Sequence, residues 1–173
     1  MDSTPVLLDW LRNALDYKRW ADQRTGEAAR GVDPVQHPTT FDFIRQQLNH
    51  LVIVEELFRA RLSGQTAPHA VTNTRDRPPL PELLERLDRS NEWLRGYLTR
   101  RPADDLSERI DFHFTDGQAG SMNRLEILFH LINHGTYHRG AIGHALDRAG
   151  APRPADTYTV YIHAAHPARR HHD

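Results

Sequence analysis

The 173-residue chain contains no cysteine, which excludes disulfides, iron–sulfur clusters, thiolate zinc sites and a cysteine nucleophile of its own. Any metal must therefore be held by nitrogen and oxygen. Net charge is also nearly absent, with 22 Lys and Arg against 23 Asp and Glu, so no global field draws the chain to nucleic acid or to an anionic membrane. Long hydrophobic runs are missing as well. The N-terminal MDSTPVLLDWLRNALDYKRW carries charge from its second residue and reads neither as a signal peptide nor as a membrane span, so a cytoplasmic location is expected by default. GxSxG, P-loop and GxGxxG patterns do not occur, which leaves serine hydrolase, nucleotide hydrolase and dinucleotide oxidoreductase readings without their required parts.

What is present is a helical pattern. A chain of this length fits a single domain, residues 1–173, and hides roughly two-thirds of its unfolded surface without staples. Four stretches carry the 3.6-residue apolar period between Pro-, Gly- and Asp-rich breaks, which predicts an all-α bundle. The first is expected to run from Thr4, an N-cap before Pro5, to about Gly31. The second covers FDFIRQQLNHLVIVEELFRARL and stops at Ser63–Gly64. A polar connection leads to the third, LPELLERLDRSNEWLRGYLTRR. SERIDFHFTDGQAG then breaks the period, and Asp116–Gly117 signals a small hairpin or extended loop. The fourth is predicted from a Ser121 N-cap to Gly150, long enough at roughly 40 Å to span the bundle. TYTVYIHAA is expected to pack back as a short extended or helical piece, and the tail from about residue 164, ending in ARRHHD, to be flexible.

The chain is rich in one residue only, with 12 histidines. His130, His134 and His138 recur every four residues, so on a helix they form one stripe. Spacing alone is weak evidence, because at this histidine content HxxxH is expected roughly once by chance. Their neighbours say more: Ile127, Leu131, Ala141, Ile142 and Ala145 share that broad face, and His50 interrupts an apolar stripe containing Phe43, Val54, Leu57 and Phe58. Two helices thus each turn histidine inward. Neutral imidazoles around one cation would satisfy one another and leave an open position, whereas ordinary core histidines would bond to carbonyls or carboxylates. Spacing leaves both readings standing.

LNHLVIVEELF together with HLINHGTYHRGAIGHALDRAG resembles the paired signatures of the DinB/YfiT-like family, as do the first helix with Tyr17 and Trp20 and the Asp116–Gly117 break. The resemblance covers most of the chain. It implies a four-helix bundle of crossed connectivity, a homodimer, and one divalent ion held by His50, His134 and His138, with His130 outside the triad. Nickel or zinc is the ion implied first, iron or manganese after them. It further implies an affiliation with proteins named for DNA-damage induction and with transferases or isomerases that use small thiols. Where members of that family often carry Gln after HRG, this chain has Ala141.

The expected function is a metal-dependent transferase or hydrolase acting on a small-molecule substrate, with a small thiol as a candidate partner, since sulfur must come from outside a cysteine-free protein. The competing readings are a non-catalytic metal- or ligand-binding bundle and a metal-free dimerising module. Peptide hydrolysis by the HExxH mechanism is disfavoured because Gly135 stands where the glutamate base is needed. Glu55, Glu56 and Tyr137 are the remaining candidate bases, the glutamates being expected in solvent or paired with Arg59. Arg139 is expected on the surface. Gly135, Gly140 and Gly143 either open room beside the metal or allow close packing, each costing roughly 1 kcal/mol in a helix.

Overall fold

The computed structural model describes residues 4–170. Four long helices, α1 (Thr4–Arg30), α2 (Pro38–Ser63), α3 (Leu80–Thr99) and α4 (Arg124–Arg148), are joined by a 3₁₀ turn (Ala103–Ser107) and a hairpin, β1 (Arg109–His113) and β2 (Ala119–Asn123). A short α5 (Tyr158–Ala165) closes the chain, followed by a 3₁₀ turn at Pro167–Arg169. The HH pair of the tail lies outside the described residues. No helix is long and apolar enough to cross a membrane.

The ends of these elements follow local chemistry. Gly64 stops α2 in the left-handed region at φ 66°, where a side chain would be strained, while the N–H of Gln65 donates to the Ala60 carbonyl at 2.8 Å. The α4 start corrects the expectation of a Ser121 cap. Ser121 is paired with Asp111 across the hairpin, so the strand holds it extended. The cap is Asn123, whose side chain accepts from the Glu126 N–H while Glu126 returns a bond to the Asn123 N–H, both 2.8 Å. α2 starts three residues before Phe41, at Pro38, a residue already set for a helical first turn.

Packing order differs from chain order. α1 lies against α3 and α4, and α2 lies against the same two helices, so α1 and α2 sit across one diagonal of the bundle and α3 and α4 across the other. This is the crossed connectivity expected. The hairpin bridges the second diagonal and seats Phe112 edge-on against Phe58, ring centres 5.8 Å apart.

The core is divided along its length. One apolar cluster joins Leu11, Leu15, Phe58, Leu94, Ile127 and Leu131; the other joins Ile44, Leu48, Leu83, Leu87, Ile142 and Leu146. Each of these side chains contributes about 1.5–3 kcal/mol by leaving water. Between them, at mid-height, the interior is charged: Lys18, Asp22, Glu55, Asn91 and Arg139 are all buried. α5 packs on α1, where Tyr17, Ala21 and Tyr161 form a third, small cluster, which places Tyr17 in the core.

Candidate metal centre

α2 and α4 run side by side, and their facing stripes bring His50, His134 and His138 together. Position 50 sits among the buried residues of α2, and positions 134 and 138 are one turn apart on α4. His134 Nε2 lies 3.2 Å from His50 Nε2 and 3.1 Å from His138 Nε2. One donor atom from each of the three lies within 4.8 Å of the others.

The outer nitrogens decide what this convergence means. His50 Nδ1 is 2.9 Å from the Thr72 carbonyl, which can only accept, so the proton is on Nδ1 and Nε2 presents a lone pair. His138 Nδ1 donates to Gln47 Oε1 at 2.7 Å, with the same result. Two lone pairs therefore face His134 Nε2, which can supply one proton at most while neutral. A shared cation relieves this crowding. Nitrogens bound to one zinc-sized ion at about 2.0–2.1 Å in tetrahedral directions stand roughly 3.3 Å apart, close to the two short separations here. The orienting bonds at Nδ1 are the support that metal-binding imidazoles need. His134 lacks one, since its buried Nδ1 makes no hydrogen bond.

Electrostatics favour the neutral, metal-competent forms. Burial, reinforced by the neighbouring imidazoles, lowers His134 to about 3, and burial with His50 lowers His138 to about 4. His130 stays outside the cluster, stacked on His134 at 5.3 Å between ring centres and packed against Phe58 at 5.0 Å.

The polar connection between α2 and α3 proves to be part of the site. It lies along α2, supplying the Thr72 carbonyl to His50 and the Thr74 hydroxyl to Asn49 at 2.7 Å, while Arg45 donates to the Pro78 carbonyl at 3.1 Å. Neither Thr72 nor Gln47 was marked by the sequence. A backbone carbonyl leaves no trace in it, and Gln47, one turn before His50 on the same face, was discernible only from that spacing.

Several expected roles change. Glu55 is neither solvated nor paired with Arg59; it is buried with its carboxylate 2.7 Å from Lys18. Glu56 is bound by Arg86 through two bonds, 2.9 and 2.7 Å. Arg59 instead lies over the Trp93 ring. Tyr137 alone of the candidate bases adjoins the cluster, edge-on to His138 at 5.2 Å. Arg139 is the clearest reversal. It is buried and bonds Asp22 at 2.8 Å, Asp156 at 2.9 Å and Thr136 at 3.0 Å. Gly135 makes room for it: a Cβ there would stand 2.9 Å from the Arg139 guanidinium. Arg153 likewise occupies the space over Gly143, and nothing adjoins Gly140. Two of the glycines thus serve packing and not metal access.

Asp22 organises the buried charges. Its carboxylate accepts from Lys18 and Arg139 at 2.8 Å each and from Asn91 at 3.0 Å. Burial alone would raise the Asp22 carboxyl, but Lys18 and Arg139 overcome that and hold it below the usual range. Burial pushes Glu55 up, because Lys18 is its one cationic neighbour and is shared with Asp22.

Fold and site together define a helical bundle with a three-histidine cluster that could hold a metal ion. The DinB family model matches residues 4–171, and the chain belongs to the DinB family. It is 24% identical over 162 residues to Protein DinB of Bacillus subtilis (strain 168), a match covering 89% of this chain and 94% of that relative. No solved structure matches it.

Proposed function

We propose that this protein is a metal-dependent enzyme in which His50, His134 and His138 hold one divalent ion, zinc or nickel before iron or manganese, and which acts on a small substrate with a low-molecular-weight thiol as partner. The carrying observation is the convergence of three Nε2 atoms, two of them with tautomers fixed by Thr72 and Gln47. Among the described residues the cluster offers three imidazole donors and no carboxylate as a fourth, the ligand count of sites that keep a position open. A bound ion would supply Lewis acidity there. The residues do the rest: Thr72 and Gln47 fix His50 and His138, and Tyr137, its ring edge-on to His138, is an exposed side chain beside the cluster. Chain pairing into a homodimer belongs to the same proposal, with light scattering as its check; Val6, Leu7 and Trp10 are the exposed apolar side chains that α1 offers for it.

A non-catalytic metal-binding bundle is the second reading, favoured by one observation. Both candidate glutamate bases are committed elsewhere, Glu55 to Lys18 and Glu56 to Arg86. Elemental analysis of protein purified without a tag or added nickel tests the metal, and one ion per chain is expected. Cobalt-substituted protein then separates the readings. A sulfur-to-metal absorption with added small thiols, lost in His138→Ala, supports the enzyme, while no response to any thiol and no metal-dependent turnover leaves the binding bundle.

A further inference from the structure

We infer that the α2/α4 groove carries a binding subsite for a small anionic molecule with an apolar body, one helical turn from the histidine cluster. The inference rests on the proposed function, of which it names the substrate class. A cavity of about 260 Å³ opens in this groove, with Phe43, Ala141 and Ala145 as its apolar wall. Thr39, Thr40, His144 and Arg148 give it a polar mouth.

Position along the two helices ties the cavity to the cluster. Phe43 precedes Gln47, the residue that holds His138, by one turn of α2, and Ala141 follows His138 by three residues of α4, roughly 5 Å of rise. A molecule lying on Phe43 and Ala141 therefore points one end at the imidazoles. Ala141 is what makes the space: its side chain ends at Cβ, and any longer residue would enter the cavity.

Charge selects the ligand. Arg148 is the one charged residue of the lining, and among the described residues it has no ion-pair partner. The acids nearest in sequence are engaged, Asp42 with Arg77 and Asp147 with Arg153. No carboxylate lines the cavity, so an anion meets one guanidinium, one imidazole and two hydroxyls without repulsion. The volume lies just under the range typical of drug-sized ligands, which indicates a metabolite-sized occupant.

The probe is 3-phenylpropionate, with 3-phenyl-1-propanol as its uncharged match, titrated into metal-free protein and followed by backbone amide NMR. Shifts are expected at Thr39, Thr40, Ala141 and Ala145, with the acid binding about fivefold tighter than the alcohol, the worth of an exposed charge contact. Arg148→Gln should erase that difference, and Ala141→Leu should weaken both probes at least about tenfold in a protein whose melting shows it folded. Equal binding of acid and alcohol, shifts elsewhere, or undiminished binding to Ala141→Leu would overturn the subsite. So would cavity shifts that follow protein concentration without probe, which would make a second chain the occupant. Zinc titration of the same samples reads the metal centre separately. Zinc binding without probe binding sinks the subsite alone, and probe binding without zinc sinks the metal reading alone.

Discussion

Replacing Asp22 with Asn keeps the shape of the side chain and removes the negative charge on which the mid-height interior depends. Two buried cations, Lys18 and Arg139, and the Asn91 amide donate to its two oxygens. After substitution Lys18 retains Glu55, a carboxyl that burial raises, and Arg139 retains Asp156 at the edge of the interior. An uncompensated buried charge of this kind costs about 3–5 kcal/mol, a large share of a domain's usual 5–15 kcal/mol. At about 2–4 °C per kcal/mol for a chain of this size, the melting temperature should fall by roughly 6–20 °C. Urea unfolding should show a lower midpoint with an unchanged slope. As an internal control, Asp9→Asn breaks an exposed pair with Arg12 and should cost less than about 1 kcal/mol. Acid provides a second check. The folded Asp22 carboxyl is held below its unfolded value, so its stabilisation is present above about pH 4 and is lost as pH falls through the folded value, narrowing the gap to the variant. An Asp22→Asn protein within about 1 kcal/mol of the parent at pH 7 would refute the assignment of Asp22 as the common counterion.

Gln47→Leu should leave the fold intact and weaken zinc binding by about 10–100-fold, as loss of an orienting partner does; calorimetry showing unchanged affinity would remove Gln47 from the site. His134 and His138 are already neutral in the fold down to about pH 3 and 4, so these two should add almost nothing to any loss of zinc affinity between pH 7 and 5 followed by calorimetry, where two ordinary imidazoles would add about one proton each. Their cost appears in stability, which is complete above about pH 6.5 and declines on acidification toward those folded values, measurable by urea midpoints across pH. Gly140→Ala, with open space around it, should stabilise by up to about 1 kcal/mol, whereas Gly135→Ala must displace the pinned Arg139 guanidinium and should destabilise by about 1–3 kcal/mol. Thermal melts giving the two variants the same sign would refute that distinction.

The bundle was legible because apolar periodicity survives in sequence even when individual ends do not. Ser121 and Asn123 are both competent caps, and the hairpin register, a non-local matter, selects Asn123. Histidine direction was legible for the same reason, since His50, His134 and His138 sit in apolar stripes. The buried charges were not. Lys18, Asp22, Glu55 and Arg139 have the composition of solvated helix faces, and only contacts between helices, across 117 positions for Asp22 and Arg139, turn them inward. Gln47 and the Thr72 carbonyl escaped for a related reason: a residue that orients a ligand is identified by the atom it touches.

The diagonal placement of α1 and α2 bears on how such a chain is made. A polypeptide leaving the ribosome presents Lys18, Asp22 and Glu55 long before Arg139, and the first two helices, though consecutive, offer each other little surface to share. Closing the interior must wait for α4, whose arrival brings the second cation and two of the three imidazoles together. Synthesis therefore yields no packed pair from the first two helices, which must wait for α3 and α4 to find partners, and the cost of closing long loops comes before the contacts that repay it. Metal capture at that cluster, requiring nitrogens 84 positions apart, would then mark a closed bundle.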